Sequence, residues 1–382
     1  MRKLRKDTGK VVRAVCMQSA LGVLVAFGAV RTQASTLPQE WQDALSVPAG
    51  YAFARHVEHV RTWDFPDFSV DFYRQANGPG TVQRVFVAVP KGGSGKLPAV
   101  AVPFYYPEAM LGFDPATGEE LPKFKGVTML ADLARRGFVA ATADAYHLTY
   151  RTDATEPRDD FKRWKKAAEA LARDWPRWTG VGKLTADTRL MIDLLAADPR
   201  VDAARIGIIG HSLGGKMAFY AGCLDPRVKA IVTSDWGIDW DGTNWKDPWY
   251  WGAARVDAMK AAGRTHADLL AYAGSKPFML IAGKYDNAAS ARAVLDRVPA
   301  CRAHPERCVV LDHASGHRPP PDALEAGDRF LEKNLKIKQT DKEQKCKKSS
   351  SWRRWPPDSR RARKRAWASS AAIPRTPLRS RS

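Results

Sequence analysis

Apolar and polar positions along residues 67–335 keep two alternating rhythms. Short apolar runs at 69–73, 82–89, 98–104, 138–143, 205–209, 228–233, 277–282 and 309–311 have the length and composition of strands. Between them, 127–136, 185–197, 212–224, 288–298 and 322–335 place apolar residues three and four apart, as helices with one buried face do. The first two strands flank Asn77-Gly78-Pro79-Gly80, a turn sequence, and read as a hairpin. After that, strand and helix take turns, which predicts an α/β fold with a mostly parallel central sheet flanked by helices. Two stretches break the rhythm, 146–181 and 235–273. Both read as insertions over the carboxyl ends of the strands, where such sheets bind their ligands.

The ends of the chain have another character. Residues 1–34 join a basic start (Arg2, Lys3, Arg5, Lys6, Lys10, Arg13) to an apolar run at 20–30, followed by Thr32-Gln33-Ala34. This is the layout of a cleaved signal peptide, and the run is shorter than the roughly 20 residues of a spanning helix. The expectation is a secreted or periplasmic protein with no stable membrane insertion after cleavage. Residues 35–66 read as an N-terminal extension and 67–335 as the catalytic domain. Residues 336–382 form a basic tail without period, expected to be disordered. Three readings of the tail stay open: a polyanion or membrane-surface anchor, a segment without specific contacts, or an out-of-frame read-through.

Charge looks informative until it is located. The formal net charge is +20, but 336–382 carry +13 and 1–34 carry +6, leaving about +1 on 35–335. A near-neutral body excludes a nucleic-acid-binding surface on the folded part. Of the five cysteines, Cys301 and Cys308 are close enough in sequence to pair in an oxidising compartment, although spacing alone does not fix the geometry.

The chemistry gathers at Gly210-His211-Ser212-Leu213-Gly214. The pattern G-x-S-x-G between a strand and a helix is a nucleophile elbow: a strained turn projects the serine at a helix N-terminus, where N–H groups favour a developing oxyanion. A serine hydroxyl needs a base. His317, in the loop after the last strand, is the first choice, and His313 is its rival. An acid should follow a strand near that end of the sheet. Asp286, directly after 277–282, is preferred, and Asp235, after 228–233, is the alternative. Asp286 also has a plain structural reading as a helix cap.

The set Ser212, Asp286, His317 in this chain order resembles the α/β-hydrolase superfamily over about residues 67–335, in particular its dienelactone-hydrolase-like and acetylxylan-esterase-like members. That resemblance implies an α/β-hydrolase fold and a serine esterase that uses no cofactor. It also implies an oxyanion hole made by the N–H of Leu213 and that of Tyr105 or Tyr106, although Phe104-Tyr105-Tyr106-Pro107 stands where a His-Gly is common. There is a partial likeness to glucuronoyl esterases. Lys216, four residues after the serine, stands where those enzymes contact a sugar acid, and their acid position points to Asp235. Their arginine after the serine is Leu213 here.

Five of the 13 tryptophans crowd into the 235–273 segment, which reads either as a lid gripping a carbohydrate or aromatic ester through Trp236, Trp245 and Trp249, or as a loop packed on the sheet. No metal-ligand spacing and no phosphate-binding glycine loop is present. The expected activity is hydrolysis of a small-molecule or carbohydrate ester. A serine peptidase or amidase of the same fold and a non-catalytic ligand-binding relative are the alternatives.

Overall fold

The structure is a computed structural model, and it describes residues 36–336 apart from 94, 115–116, 118, 123–127 and 153–159. The expected signal peptide and nearly all of the basic tail lie outside these residues. The chain begins with helix α1 (Gln39–Leu45), then strands β1 (Val57–Asp64), β2 (Phe68–Gly78), β3 (Thr81–Pro90) and β4 (Leu97–Ala101). Helices α2 (Pro107–Leu111) and α3 (Met129–Arg135), strand β5 (Val139–Ala143), and helices α4 (Phe161–Asp174) and α5 (Gly180–Ala197) follow. Next come β6 (Val201–His211), α6 (Leu213–Leu224), β7 (Val228–Ser234), α7 (Ala253–Ala261), α8 (His266–Ala273) and β8 (Phe278–Ala282). Helices α9 (Ala288–Leu295) and α10 (Pro299–Ala303), strand β9 (Cys308–Asp312) and helix α11 (Pro321–Leu335) close the described part.

Among the described residues the strands form one nine-stranded sheet in the order β1-β2-β3-β5-β4-β6-β7-β8-β9. The first three strands and the β3–β5 pair are antiparallel, and from β5 to β9 every neighbour is parallel. This is the α/β-hydrolase order, with β1 as an added edge.

The period of two along each strand explains the layers. In β4, Ala99 and Ala101 join the core under α5 and α6, while Val100 and its neighbour Val102 join the core under α3 and α11. In β6, Ile206 and Ile208 face the first core and Ile209 the second. Both faces are covered, so the parallel strands read as continuous apolar runs rather than alternating ones.

Three differences from the sequence expectations have physical causes. β1 lies inside the expected extension. Its sequence alternates weakly because it is an edge strand with most side chains exposed, and β2 supplies its pairing. Helix α5 starts at Gly180, five residues early, because Thr179 caps it by accepting from the Gly182 N–H. The 235–273 insertion is itself partly helical, as α7 and α8. Cys301 and Cys308 form a disulfide, with Cα atoms 5.3 Å apart. No described helix is long and apolar enough to cross a membrane.

Residues 35–66 also supply core. Trp41, fully buried, stacks on Trp240 with centroids 5.8 Å apart and donates from its indole N–H to Asp268 at 3.0 Å. Trp41→Ala should therefore destabilise the protein by about 3–5 kcal/mol, as truncations of large core aromatics do, read as a lowered urea midpoint. An unchanged midpoint would mean that α1 is only an appendage.

Candidate active site

β6 delivers Ser212 into a turn with φ 57° and ψ −120°, a left-handed conformation that a non-glycine residue adopts only under constraint. The constraint comes from both flanks. A Cβ on Gly210 would lie 2.0 Å from the Gly214 carbonyl oxygen, and one on Gly214 would lie 2.1 Å from the Pro103 carbonyl oxygen. The first glycine permits the sharp turn. The second lets the elbow press against the loop after β4, where Tyr105 and Tyr106 sit. The Ser212 N–H donates to the Ser234 carbonyl at 2.8 Å, tying the elbow to the end of β7. The N–H of Leu213 opens α6 and has no carbonyl of a preceding helical turn to bond.

His317 reaches the serine from the loop after β9. Its Nε2 lies 3.0 Å from the Ser212 Oγ, and its Nδ1 lies 2.6 Å from the Asp235 carboxylate. The carboxylate can only accept, so Nδ1 carries the proton, and Nε2 is left to accept from the serine hydroxyl. The Gly316 carbonyl accepts from the Lys284 N–H at 3.0 Å, which pins the histidine loop to the end of β8. Tyr285 packs edge-on to the His317 ring at 4.7 Å. His313, the rival histidine, bonds the Ser315 hydroxyl through Nδ1 at 2.7 Å, while its Nε2 lies beside Gly283 on the Asp235 side.

The preferred acid, Asp286, does not meet His317. Its two carboxylate oxygens accept from the N–H groups of Trp236 (2.7 Å), Gly237 (3.1 Å) and Ile238 (2.6 Å). Asp235, the alternative, takes the place beside the histidine. It is also held by the N–H groups of Tyr285 (2.6 Å) and Asp286 (2.9 Å), with its backbone at φ 43°. Each aspartate thus caps the backbone of the other's loop. The helix-cap alternative for Asp286 fails as well, since Asn287 caps α9.

The two acids differ electrostatically. Burial pushes both carboxyls up. For Asp235 the bonds from His317 and from the two N–H groups outweigh burial, and it ends below the ordinary carboxylate range. For Asp286 burial wins over its three N–H donors, aided by the nearby charge of Asp235. His211, in the elbow itself, lies 4.6 Å from the His317 ring and 3.0 Å from the Ser234 hydroxyl. Burial pulls it down to about 3, so it stays neutral.

The tryptophan segment is largely core. Trp236 and Trp245 are at most 1% exposed, with Trp236 stacked on Phe219 at 4.4 Å. Neither offers a face to a ligand, because the loop folds down on α6 and α8 rather than over the serine. Trp249 is the one of the three at the edge, stacked at 5.6 Å on Phe161, which is 60% exposed.

Lys216 is buried too, rather than placed on an open surface. Its ammonium donates to the Trp236 carbonyl at 2.6 Å and lies 3.9 Å above the Trp245 ring. Burial pulls its pKa down to about 7, against the pull of Asp286 in the other direction.

The loop that carries Tyr105 and Tyr106 is braced by Arg84, which pairs with Asp144 at 2.7 Å and Glu108 at 2.6 Å. Neither this brace nor Tyr250, whose hydroxyl lies 3.5 Å from that of Tyr105, was signalled by the sequence, since both are long-range pairings without a local motif. Grooves of about 550 and 560 Å³ flank α1 and contain no side chain of the Ser212–His317–Asp235 set. The candidate site is marked by its chemistry, not by cavity size.

Residues 113–238 match the model of the dienelactone hydrolase family, a span from just after α2 through the elbow to the Asp235 loop. No curated protein sequence matches the chain. Solved structures share its fold at low identity. A glucuronoyl esterase from Solibacter usitatus is 14% identical with a TM-score of 0.56, over 76% of this chain and 89% of that one. A glucuronoyl esterase from Teredinibacter turnerae is 16% identical with a TM-score of 0.57, over 77% and 82%. A putative acetyl xylan esterase from Bacteroides fragilis is 14% identical with a TM-score of 0.55, over 70% and 72%.

The buried lysine has a measurable consequence. The unfolded chain holds the Lys216 proton up to about pH 10.4, whereas the folded chain releases it near 7. Between those values the unfolded state binds more protons, so this residue makes stability rise with pH. Comparing urea midpoints from pH 7 to about 10, Lys216→Met should remove that rise relative to the parent. Parallel pH curves for the two proteins would show that Lys216 keeps its proton in the folded chain over this range and contradict the lowered pKa.

Proposed function

We propose that this α/β-hydrolase-fold chain is a serine hydrolase of carboxylic esters, and that its substrates are carbohydrate esters. The single observation that carries the reading is the bridge made by His317 between Ser212 and Asp235, 3.0 Å on one side and 2.6 Å on the other. In this reading the Ser212 Oγ attacks the ester carbonyl while His317 Nε2 takes its proton. Asp235 holds the imidazole in the right tautomer and offsets the positive charge that forms. The N–H of Leu213 and a donor from the Tyr105–Tyr106 loop stabilise the oxyanion. The ester C–O bond then breaks, and the leaving alcohol takes the proton from His317. Water, deprotonated by the same histidine, releases the acid from Ser212.

Asp286 is a loop support in this scheme. It orders the backbone on which Asp235 stands without touching the histidine. The carbohydrate part of the proposal is supported by the neighbouring folds, named as glucuronoyl and acetyl xylan esterases. Export with loss of residues 1–34 is supported by the basic-then-apolar start of the chain and by the Cys301–Cys308 disulfide, which suits an oxidising compartment.

The test is hydrolysis of p-nitrophenyl acetate, then of acetylated xylan and a glucuronate methyl ester. Ser212→Ala should abolish turnover. Asp235→Asn should lower kcat by about 10³–10⁴, as loss of the tautomer-fixing acid does in a serine triad. Asp286→Asn should cost far less, about tenfold, since it loosens a loop but leaves the triad intact. The opposite ranking of the two aspartates would reassign the acid. Turnover that survives Ser212→Ala would remove the serine mechanism, and faster cleavage of an anilide than of the ester would replace esterase by amidase.

A further inference from the structure

His211 stands one residue before the nucleophile, and the sheet decides where its side chain goes. In the register of β6 and β7 it lies beside Ser234, so the two side chains share a face of the sheet. There the His211 Nδ1 and the Ser234 hydroxyl are 3.0 Å apart, and both residues are buried. Ser234 is tied through its backbone as well, since its carbonyl accepts from the Ser212 N–H at 2.8 Å, and the next residue is Asp235. Oriented in this way, the His211 ring lies against the His317 ring, with centroids 4.6 Å apart and planes at 37°. Tyr285 meets the same imidazole edge-on at 4.7 Å. The Lys284 N–H holds the His317 loop through the Gly316 carbonyl, but a backbone tie does not fix the χ angles of the histidine, whose side chain is 34% exposed. Its bond to the serine hydroxyl is lost whenever the Ser212 Oγ carries an acyl group. The Asp235 bond and the two flanking rings then hold the imidazole.

We propose that His211 is a positioning residue for the reaction: its ring, oriented by Ser234, holds the His317 imidazole in line between Ser212 and Asp235. The proposal rests on the serine-esterase reading above. A swing of His317 about its χ angles would carry Nε2 away from the serine and Nδ1 away from the carboxylate together. A displacement of about 1 Å is enough to cost about 100-fold in rate. The His211 ring takes up the space for that swing on one face of the imidazole. Its neutrality matters as well. Burial, and after it the neighbouring His317, pull His211 down to about 3, with Arg318 and His313 adding to the effect and Asp235 opposing it. His211 therefore stays uncharged while His317 takes up and returns the serine proton. A neutral ring lies beside the imidazolium without repelling it, whereas a second cation there would work against Asp235.

Two variants separate the ring from its tie. His211→Phe keeps a ring and loses the bond to Ser234, whereas His211→Asn keeps a polar group near the Nδ1 position and loses the ring. With p-nitrophenyl acetate, His211→Asn should lower kcat by about tenfold with KM nearly unchanged, and slow labelling of the serine by a fluorophosphonate by the same factor. His211→Phe should stay within about threefold of the parent in both. The proton that His317 shares with Asp235 gives a readout that a loss of stability alone would not move. Its far-downfield NMR signal should broaden by exchange with water in His211→Asn and stay sharp in His211→Phe. His211→Leu, apolar and without a ring, should match His211→Asn and replaces it if the buried amide prevents folding. If the ring-free variants keep kcat and labelling within about threefold of the parent while Ser212→Ala is inactive, the esterase reading stands and His211 has no part in positioning the base. Equal losses in His211→Phe and the ring-free variants would also overturn the proposal, because the ring would then not be the cause. If Ser212→Ala is as active as the parent, the site reading itself fails and takes this proposal with it.

Discussion

Two buried aspartates hold each other's loops, and the geometry of the site depends on that exchange. Asp235 accepts from the N–H groups of Tyr285 and Asp286, and Asp286 accepts from those of Trp236, Gly237 and Ile238. Hydrogen bonds to a charged group contribute about 1.5–3 kcal/mol each, enough to offset the positive φ at Asp235 and part of the cost of burying two carboxylates. The loops after β7 and β8 are thereby locked as one unit. Because the histidine loop is bonded to Lys284 in that unit, the spacing from Ser212 through His317 to Asp235 is set by backbone, not by surface side chains.

The same logic runs through the other wall of the site. Arg84 in β3 ties Asp144 after β5 to Glu108 in α2, and the Tyr105–Tyr106 loop is stretched between those two anchors. The Tyr105 carbonyl accepts from the Ala145 N–H at 3.1 Å, a further tie to the end of β5. Aromatic packing does for the 235–273 segment what charge does for the loops. Trp41 stacks on Trp240, which meets Trp245 edge-on and His266 at a tilt, and the lysine over the Trp245 and Tyr250 rings is tolerated because ring faces and a carbonyl replace its water. Of the outer aromatic pair only Phe161 reaches solvent, stacked on the nearly buried Trp249, and the His317 side chain is 34% exposed.

Much of this was legible in the sequence where the cause is local. The alternation of strand and helix, the elbow around Ser212 and the hairpin at Asn77–Gly80 all depend on residues close in the chain, and they lie where their patterns placed them. The acid was harder. Asp286 and Asp235 both follow parallel strands, and nothing within a few residues of either says which way its carboxylate turns. That is decided by a positive φ at Asp235 and by N–H groups about 50 positions away. The tryptophans were ambiguous for the same reason, since an aromatic cluster in sequence does not show which faces are already covered by α1, α6 and α8. β1 was hidden because an edge strand has no buried face to impose a rhythm.

The central claim, that Asp235 and not Asp286 is the partner of His317, is tested most directly by the imidazole proton between them. In proton NMR of the histidine-labelled protein, the Nδ1–H held at 2.6 Å should give a far-downfield resonance. The account predicts that this signal disappears in Asp235→Asn and persists, though shifted, in Asp286→Asn. A signal that survives Asp235→Asn and vanishes in Asp286→Asn would contradict it.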